Sequence, residues 1–451
     1  MKRCVHDIKD ARYFSQTCSL DGYANNVVLN GIWQKSVMYA EHSIDTSKLL
    51  LLDAILSNHL LHCCDETLVN EDPSPPALPW HLGQLKNDRC NNSDTVVGVL
   101  TAITGHGPAP PEGGMYRRRF YDAFMMDIIL SSAFSTKIDS HNDPNNEFVQ
   151  HSKRITTSNW NLSIIIYLLF PSLRKLFIFN PTQKVTDFYK DAVLRIIAER
   201  KRTGQVRHDF LQLMTETVKE GSDGKISFAD IGDQNDITSN YNDQTAGHHV
   251  SKNVSEKRLS EEELVAQCVT FFVAGYPTST STLSYTSYLL ALHPDIQEKL
   301  RQEVDRALLK NEGELNYEIL HSMKYLDNVV SESLRLSPPV PKLERIVTTE
   351  YTLGDTGIVL PKGMSLSVPI AAIHRDPKYF PDPLKFNPDR FKPGERDKHV
   401  PYTYLPFGCG PRNCIGAKLA LIMVKMCLTY IVANFRINRC PQTKVQLIQN
   451  I

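Results

Sequence analysis

Residues 405–424 read LPFGCGPRNCIGAKLALIMV, which sets Cys414 among glycines, an arginine and a phenylalanine and then passes straight into an apolar run of helical character. Glycine permits positive φ and a close approach of the backbone. Gly410 and Gly416 therefore suit a loop whose amide hydrogens point at the Cys414 sulfur, the arrangement that tunes a thiolate bound to iron. Phe407 is placed to pack over a flat macrocycle, and Arg412 to pair with one of its carboxylates in the fork geometry that favours arginine. A helix that begins right after the sulfur puts its N-terminus beside the negative ligand.

A buried core thiol in an ordinary glycine-rich turn is the competing reading. The pattern Phe-x-x-Gly-x-Arg-x-Cys-x-Gly fixes five positions at once, and that favours heme iron with Cys414 as its axial ligand.

Composition narrows the rest. A chain of 451 residues is either two ordinary domains or one unusually large one. Lys plus Arg and Asp plus Glu both total 50, so no global field draws in nucleic acid, and a small or neutral partner is expected. The ten cysteines accompany an N-terminus, MKRCVHDIKDARYF, that has no apolar signal core. Reduced thiols in a cytosol-facing protein follow. No segment reads as a membrane span: in residues 155–173 the apolar heart IIIYLLF falls far short of the ~20 residues required. A peripheral membrane contact through 162–179 and a buried core helix both stay open there.

From Phe120 onward, apolar residues return at three- and four-residue steps, as in FYKDAVLRIIAERKR and MKYLDNVVSESLRL. The runs RIVTTEYTL and GIVLPKGMSLSVP predict a small antiparallel element. The fold class is thus mainly α with small β-sheets. Residues 219–258 are polar and form a mobile insertion, in which His248 and His249 read as solvated loop residues. In the first 115 residues, Pro- and Gly-rich stretches leave one convincing helix. His62, Cys63 and Cys64 with Cys90 lack the spacing of a zinc site.

With these residues in view, the chain resembles the cytochrome P450 family of heme-thiolate enzymes, in its animal microsomal drug- and steroid-oxidising and thromboxane-synthase-like branch. The resemblance runs from about Phe120 to about Asn438 and does not rest on the cysteine loop alone. Glu332 and Arg335, three apart on one helix face, match the family's Glu-x-x-Arg, and Arg390 in FNPDRF matches the arginine that completes a buried network. Arg345 matches a position that contacts a heme propionate. The segment from Ser260 to His293 opens with a capping box, Ser260 and Glu263, and at 1.5 Å per residue extends about 50 Å. It resembles the helix that lies over the distal face of heme.

Within it, AGYPTS resembles Ala-Gly-x-(Asp/Glu)-Thr-(Ser/Thr). Ala274 and Gly275 leave room for oxygen, and Thr278 is the candidate for proton delivery, with Ser279 a possible help through a water chain. The departure is Pro277, which stands where the family has an acid and removes an amide donor from the helix. Phe271, Phe272 and Val273 are candidates to line a lipophilic substrate or to fill a core.

The resemblance implies one large P450-like domain over 116–451 and an atypical region 1–115 without a recognisable anchor. It also implies a monooxygenase drawing electrons from NADPH through NADPH–cytochrome P450 reductase at the cytosolic face of the endoplasmic reticulum. The alternative is a heme protein that does not activate oxygen, either a peroxide-rearranging enzyme or a catalytically impaired form.

Overall fold

The computed structural model describes most of residues 119–151, 183–219 and 260–439, together with Thr443. The N-terminal region 1–115, the stretch 162–179, the insertion around 221–258 and the histidines and cysteines considered for zinc lie outside the described residues. The chain packs into two compact units, one formed by residues 120–225 and 258–280, the other by the remainder.

The described part of the smaller unit contains α1 (Arg119–Phe134), α2 (Gln183–Thr203), α3 (Phe210–Lys219) and the N-terminal part of α4 (Glu261–Leu292). Its core is aromatic. Phe134 stacks on Phe272 with centroids 4.2 Å apart, Tyr189 stacks on the same ring at 4.9 Å, and Phe210 stacks on Phe271 at 4.7 Å. Such offset pairs each add about 0.5–1.5 kcal/mol beyond the area they bury.

A buried ion pair locks the helix ends around this core. Arg200 donates to both Asp209 carboxylate oxygens and to the Phe134 carbonyl. Asp209 also accepts from Ser135 Oγ and, as the cap of α3, from the Gln212 amide.

The larger unit receives α4 from Ser281 onward and adds α5 (Pro294–Lys310), α6 (Tyr317–Ser322), α7 (Lys324–Leu336), α8 (Ile370–His374) and α9 (Ala417–Asn434). Four short strands lie between α7 and α8. β1 (Leu343–Ile346) pairs antiparallel with β4 (Ser365–Val368), Arg345 facing Leu366. β2 (Tyr351–Leu353) pairs with β3 (Ile358–Leu360), Tyr351 opposite Leu360. The single antiparallel element read from the sequence is thus two nested two-stranded sheets within a mainly helical fold.

α7 is the core of this unit, with every residue from Leu326 to Leu336 buried. No side chain at its own N-cap satisfies its first amides. Glu303 from α5 does so instead, accepting the Tyr325 and Leu326 amides at 2.8 Å each. A buried pair, Lys425 to Asp327 at 2.7 Å, joins α9 to α7. α9 is the one described helix long and apolar enough to cross a membrane, and 72% of it is buried inside the protein.

Candidate heme-thiolate site

The cysteine loop gets its shape from two left-handed glycines. Gly408 sits at φ +72° and Gly410 at φ +74°, conformations that cost a side-chain-bearing residue roughly 1–2 kcal/mol. Gly416 does not share them: it stands at φ −90° as the cap residue before α9. The expectation that Gly410 and Gly416 bend the loop is therefore corrected in one member, because the second bend comes three residues after Leu405 rather than after the thiol.

Main-chain bonds complete the turn. Gly408 N donates to the Leu405 carbonyl at 3.1 Å, Asn413 N to Gly410 at 3.0 Å, and Cys414 N to Phe407 at 2.8 Å.

Cys414 is exposed, yet protein crowds it closely enough for burial to push its thiol upward, while the Gly416 amide hydrogen-bonded to the sulfur pulls the other way. The sulfur is therefore both hemmed in and accessible, and α9 begins three residues later. An amide and a helix N-terminus both favour the thiolate.

Arg412 is exposed at the end of the turn Gly410–Arg412, and Phe407 is half-buried. Arg345 on β1 lies within electrostatic reach of Cys409, whose thiol burial pushes up and Arg345 pulls down. Leu343, also on β1, approaches Gly408, where an added Cβ would stand 3.5 Å from its Cδ1. The structure thus brings Phe407, Gly410, Arg412, Cys414, Gly416 and Arg345 into one neighbourhood. A soft accessible sulfur carrying an amide bond, with guanidinium groups nearby for carboxylates, fits an iron macrocycle.

Beneath the loop lies a buried polar network. Glu332 and Arg335 have no exposed surface. Arg335 makes paired bonds to Glu332 at 2.7 and 2.8 Å and donates to the carbonyls of His374 and Pro383, each at 2.8 Å. Arg390 reaches Glu332 at 3.3 Å, and the Asn387 amide reaches it at 2.9 Å. His374, Glu303, Lys425 and Gly408 were not singled out from the sequence. Only Lys425 left a signal there, a charge in the middle of the apolar run that follows Lys418 in α9.

The candidate residues of α4, Phe271 to Ser279, belong to the smaller unit. The capping box forms, with Ser260 N donating to Glu263 at 2.8 Å and Glu263 N to Ser260 at 3.1 Å. The helix then runs continuously for 32 residues, with Pro277 inside it. Ala266, Thr270, Val273 and Ala274 form an exposed stripe at helical spacing, and Val273 is 37% exposed. Thr278 is half-buried and donates to the Ala274 carbonyl at 2.7 Å.

Three of these readings gain a structural setting here. Phe271 and Phe272 are buried in the aromatic core, which leaves Val273 as the accessible apolar residue of the three. Gly275 serves close packing, since a Cβ there would meet Ile129 of α1 at 3.3 Å. Ser279 is buried beside the half-buried Thr278.

A family model described as Cytochrome P450 matches residues 112–451, a longer span than the one read from motifs. The chain is 38% identical to "Cytochrome P450 9e2" of Blattella germanica over 331 residues, covering 72% of this chain and 58% of that protein. It is 38% identical to "Cytochrome P450 3A13" of Mus musculus over 362 residues, covering 79% and 65%. It is also 35% identical to "Lithocholate 6-beta-hydroxylase" of Mesocricetus auratus over 332 residues, covering 72% and 59%. The matched part spans about three fifths of the length of these relatives.

Proposed function

We propose, from the premise that this chain belongs to the cytochrome P450 family, that it is a monooxygenase of lipophilic small molecules. Membership carries the heme-thiolate cofactor. When bound, that group supplies the reductive activation of dioxygen, so that one oxygen atom enters the substrate and the other leaves as water.

In this reading Cys414 ligates the iron, with the Gly416 amide and the start of α9 holding it as thiolate. Arg345 and Arg412 pair with the propionates, and Phe407 and Gly410 receive the macrocycle face. Thr278 holds a proton at Oγ1 for delivery toward dioxygen, Ala274 keeps that stretch of helix free of bulk, and Val273 touches substrate. Electrons come from NADPH through a flavoprotein reductase at the endoplasmic reticulum, with residues 162–179 adding a peripheral contact to the membrane. The similarity to a relative named "Lithocholate 6-beta-hydroxylase" supports a lipophilic substrate class.

The observation that carries the reading is the crowded yet accessible Cys414 sulfur with an amide bonded to it. The test begins with the ferrous carbonyl complex of the purified protein and of Cys414→Ala. A thiolate-type spectrum is expected in the first and absent in the second; a colourless parent protein grown with ample hemin sinks the proposal. NADPH-dependent oxygen consumption with reductase and a panel of lipophilic compounds then tests turnover.

Pro277 favours a second reading, a heme-thiolate protein that does not activate oxygen. A carboxylate on the proton path is worth about 10²–10⁴-fold in rate. Pro277→Glu is therefore expected to raise oxygen-dependent turnover at least about tenfold if proton supply is the defect. No rise, in a protein with a thiolate-type carbonyl spectrum but no turnover, supports the second reading.

A further inference from the structure

We propose that His374 is a positioning residue for the cysteine loop, using its imidazole to tie the first amide of the loop to the helix that carries Glu332 and Arg335. The inference rests on the reading of Cys414 as the iron ligand.

His374 ends α8 with no exposed surface. Its Nε2 stands 2.8 Å from the Leu405 amide and its Nδ1 3.3 Å from the Arg335 carbonyl. A backbone amide can only donate, so Nε2 is the unprotonated nitrogen. The ring proton is then on Nδ1, where the Arg335 carbonyl accepts it. The main chain of the same residue is engaged as well, its carbonyl accepting from Arg335 at 2.8 Å.

The ring is fixed in place by its neighbours. Tyr404 stacks on it with centroids 5.3 Å apart, Phe380 meets it edge-on at 6.3 Å, and the Tyr404 hydroxyl is itself held by the Ser331 carbonyl at 2.9 Å. Burial, with Arg335 close by, pushes the imidazole down to about 3, which keeps it in the neutral form that an N–H acceptor requires.

The geometry leads directly toward the thiol. Leu405, held at its amide by His374, accepts Gly408 at its carbonyl, and Phe407 two residues on accepts the Cys414 amide at 2.8 Å. By fixing the amide from which the loop departs, the buried imidazole would act on the orientation of the ligand loop from one step further out than a group bonded to the ligand itself. A purely structural histidine would need a partner for burial; this one has as its partner the amide from which the loop departs.

The two halves of the ring separate by substitution. His374→Asn keeps a nitrogen near Nδ1 for the Arg335 carbonyl and leaves the Leu405 amide without an acceptor. His374→Gln reaches toward the Nε2 position and restores that acceptor. Tyr404→Phe, which removes the neighbouring hydroxyl bond to Ser331 and keeps both His374 ring bonds, is the control for general destabilisation. Each heme-loaded variant is reduced under carbon monoxide, and the thiolate-type fraction is measured beside its unfolding midpoint in denaturant.

The thiolate-type fraction is expected to fall by up to about tenfold in the Asn variant, the low end of what removing a direct partner of a metal ligand does, to recover largely in the Gln variant, and to stay at the parent level in Tyr404→Phe. An undiminished fraction in the Asn variant, or an equal fall in all three, overturns the proposal. Cys414→Ser keeps the two readings apart: a thiolate-type spectrum that survives there sinks the ligand assignment, whatever His374 does. One measurement on the unaltered holoprotein needs no variant to fold. Hydrogen exchange at the Leu405 amide is expected to be slow at neutral pH, and exchange at the rate of an open loop overturns the proposal on its own.

Discussion

The cysteine loop and the central stretch of α4 present their candidate residues by opposite means. The loop has little regular structure beyond the short 3₁₀ turn Gly410–Arg412: two left-handed glycines, three main-chain bonds and one imidazole shape it. α4 presents Val273, Ala274 and Thr278 by helical register alone, seated through Gly275 against Ile129. A loop of that kind depends on side chains far away in sequence, whereas a helix face depends on its own turn and one packing contact. Damage should therefore reach the loop from a distance and reach the α4 stripe only locally.

The strongest way to break that contrast is Arg335→Ala. It leaves Glu332 buried with Arg390 at 3.3 Å and the Asn387 amide at 2.9 Å, and strips donors from the carbonyls of His374 and Pro383. Removing one member of a buried charged set costs about 3–5 kcal/mol. Denaturant unfolding is expected to show a loss of that size together with loss of holoprotein. A cost under about 1 kcal/mol, the range of an exposed pair, would mean that the network does not support the loop.

The matching change in α4 has the opposite sign. Proline in a helix interior costs up to about 3 kcal/mol, and here the Thr278 hydroxyl already engages the Ala274 carbonyl beside it. Pro277→Ala is expected to raise the unfolding midpoint by about 1–3 kcal/mol in stability, with the thiolate-type carbonyl spectrum of the holoprotein unchanged. A destabilised Pro277→Ala protein would show that the helix is built around its proline.

What could be read in advance follows the same division. The capping box, the long helix, the Glu332 and Arg335 pair and the Cys414 loop were legible because each is a pattern of side-chain types at fixed spacing. His374, Glu303 and the role of Gly408 were not, since their partners are backbone groups. The amides of Leu405, Tyr325 and Leu326 lie 31, 22 and 23 residues from the side chains that bind them, and no residue pattern marks an amide. Phe271, Phe272 and Val273 were indistinguishable because α4 is apolar around much of its circumference, so burial was decided by Phe134, Tyr189 and Phe210. Gly275 was legible as a position but not as a cause: the missing Cβ makes room for Ile129.

Gly408→Ala and Gly410→Ala sharpen the comparison at smaller amplitude. Neither new Cβ meets a clash, the nearest atom to Gly408 being Leu343 Cδ1 at 3.5 Å, with nothing within 4 Å of Gly410. Both should therefore show the backbone cost alone, about 1–2 kcal/mol. Gly416→Ala, at φ −90°, carries no such strain. If all three alanine variants unfold alike, the left-handed bends are not what shapes the loop.

Acid titration separates the regions by a graded slope rather than by a single step. His374 is pushed down to about 3 from an ordinary 6.5, chiefly by burial and then by Arg335. His399, in the same unit, is pushed down to about 4 by burial and Arg396. Because the folded protein holds these rings neutral, their contribution to stability is complete above about pH 6.5. It is lost as pH falls from there toward 3, where the unfolded chain takes up protons that the folded one refuses. For His374 the slope reaches about 1.4 kcal/mol per pH unit. No histidine lies between Ser260 and Leu292, so α4 adds no imidazole to this limb. Unfolding midpoints measured from pH 7 down to about 4 are expected to show a limb that becomes shallower in His374→Phe by up to that slope. The result is asymmetric in use: a limb unchanged by the substitution shows that the ring is not held neutral, and with it the Leu405 amide loses its acceptor.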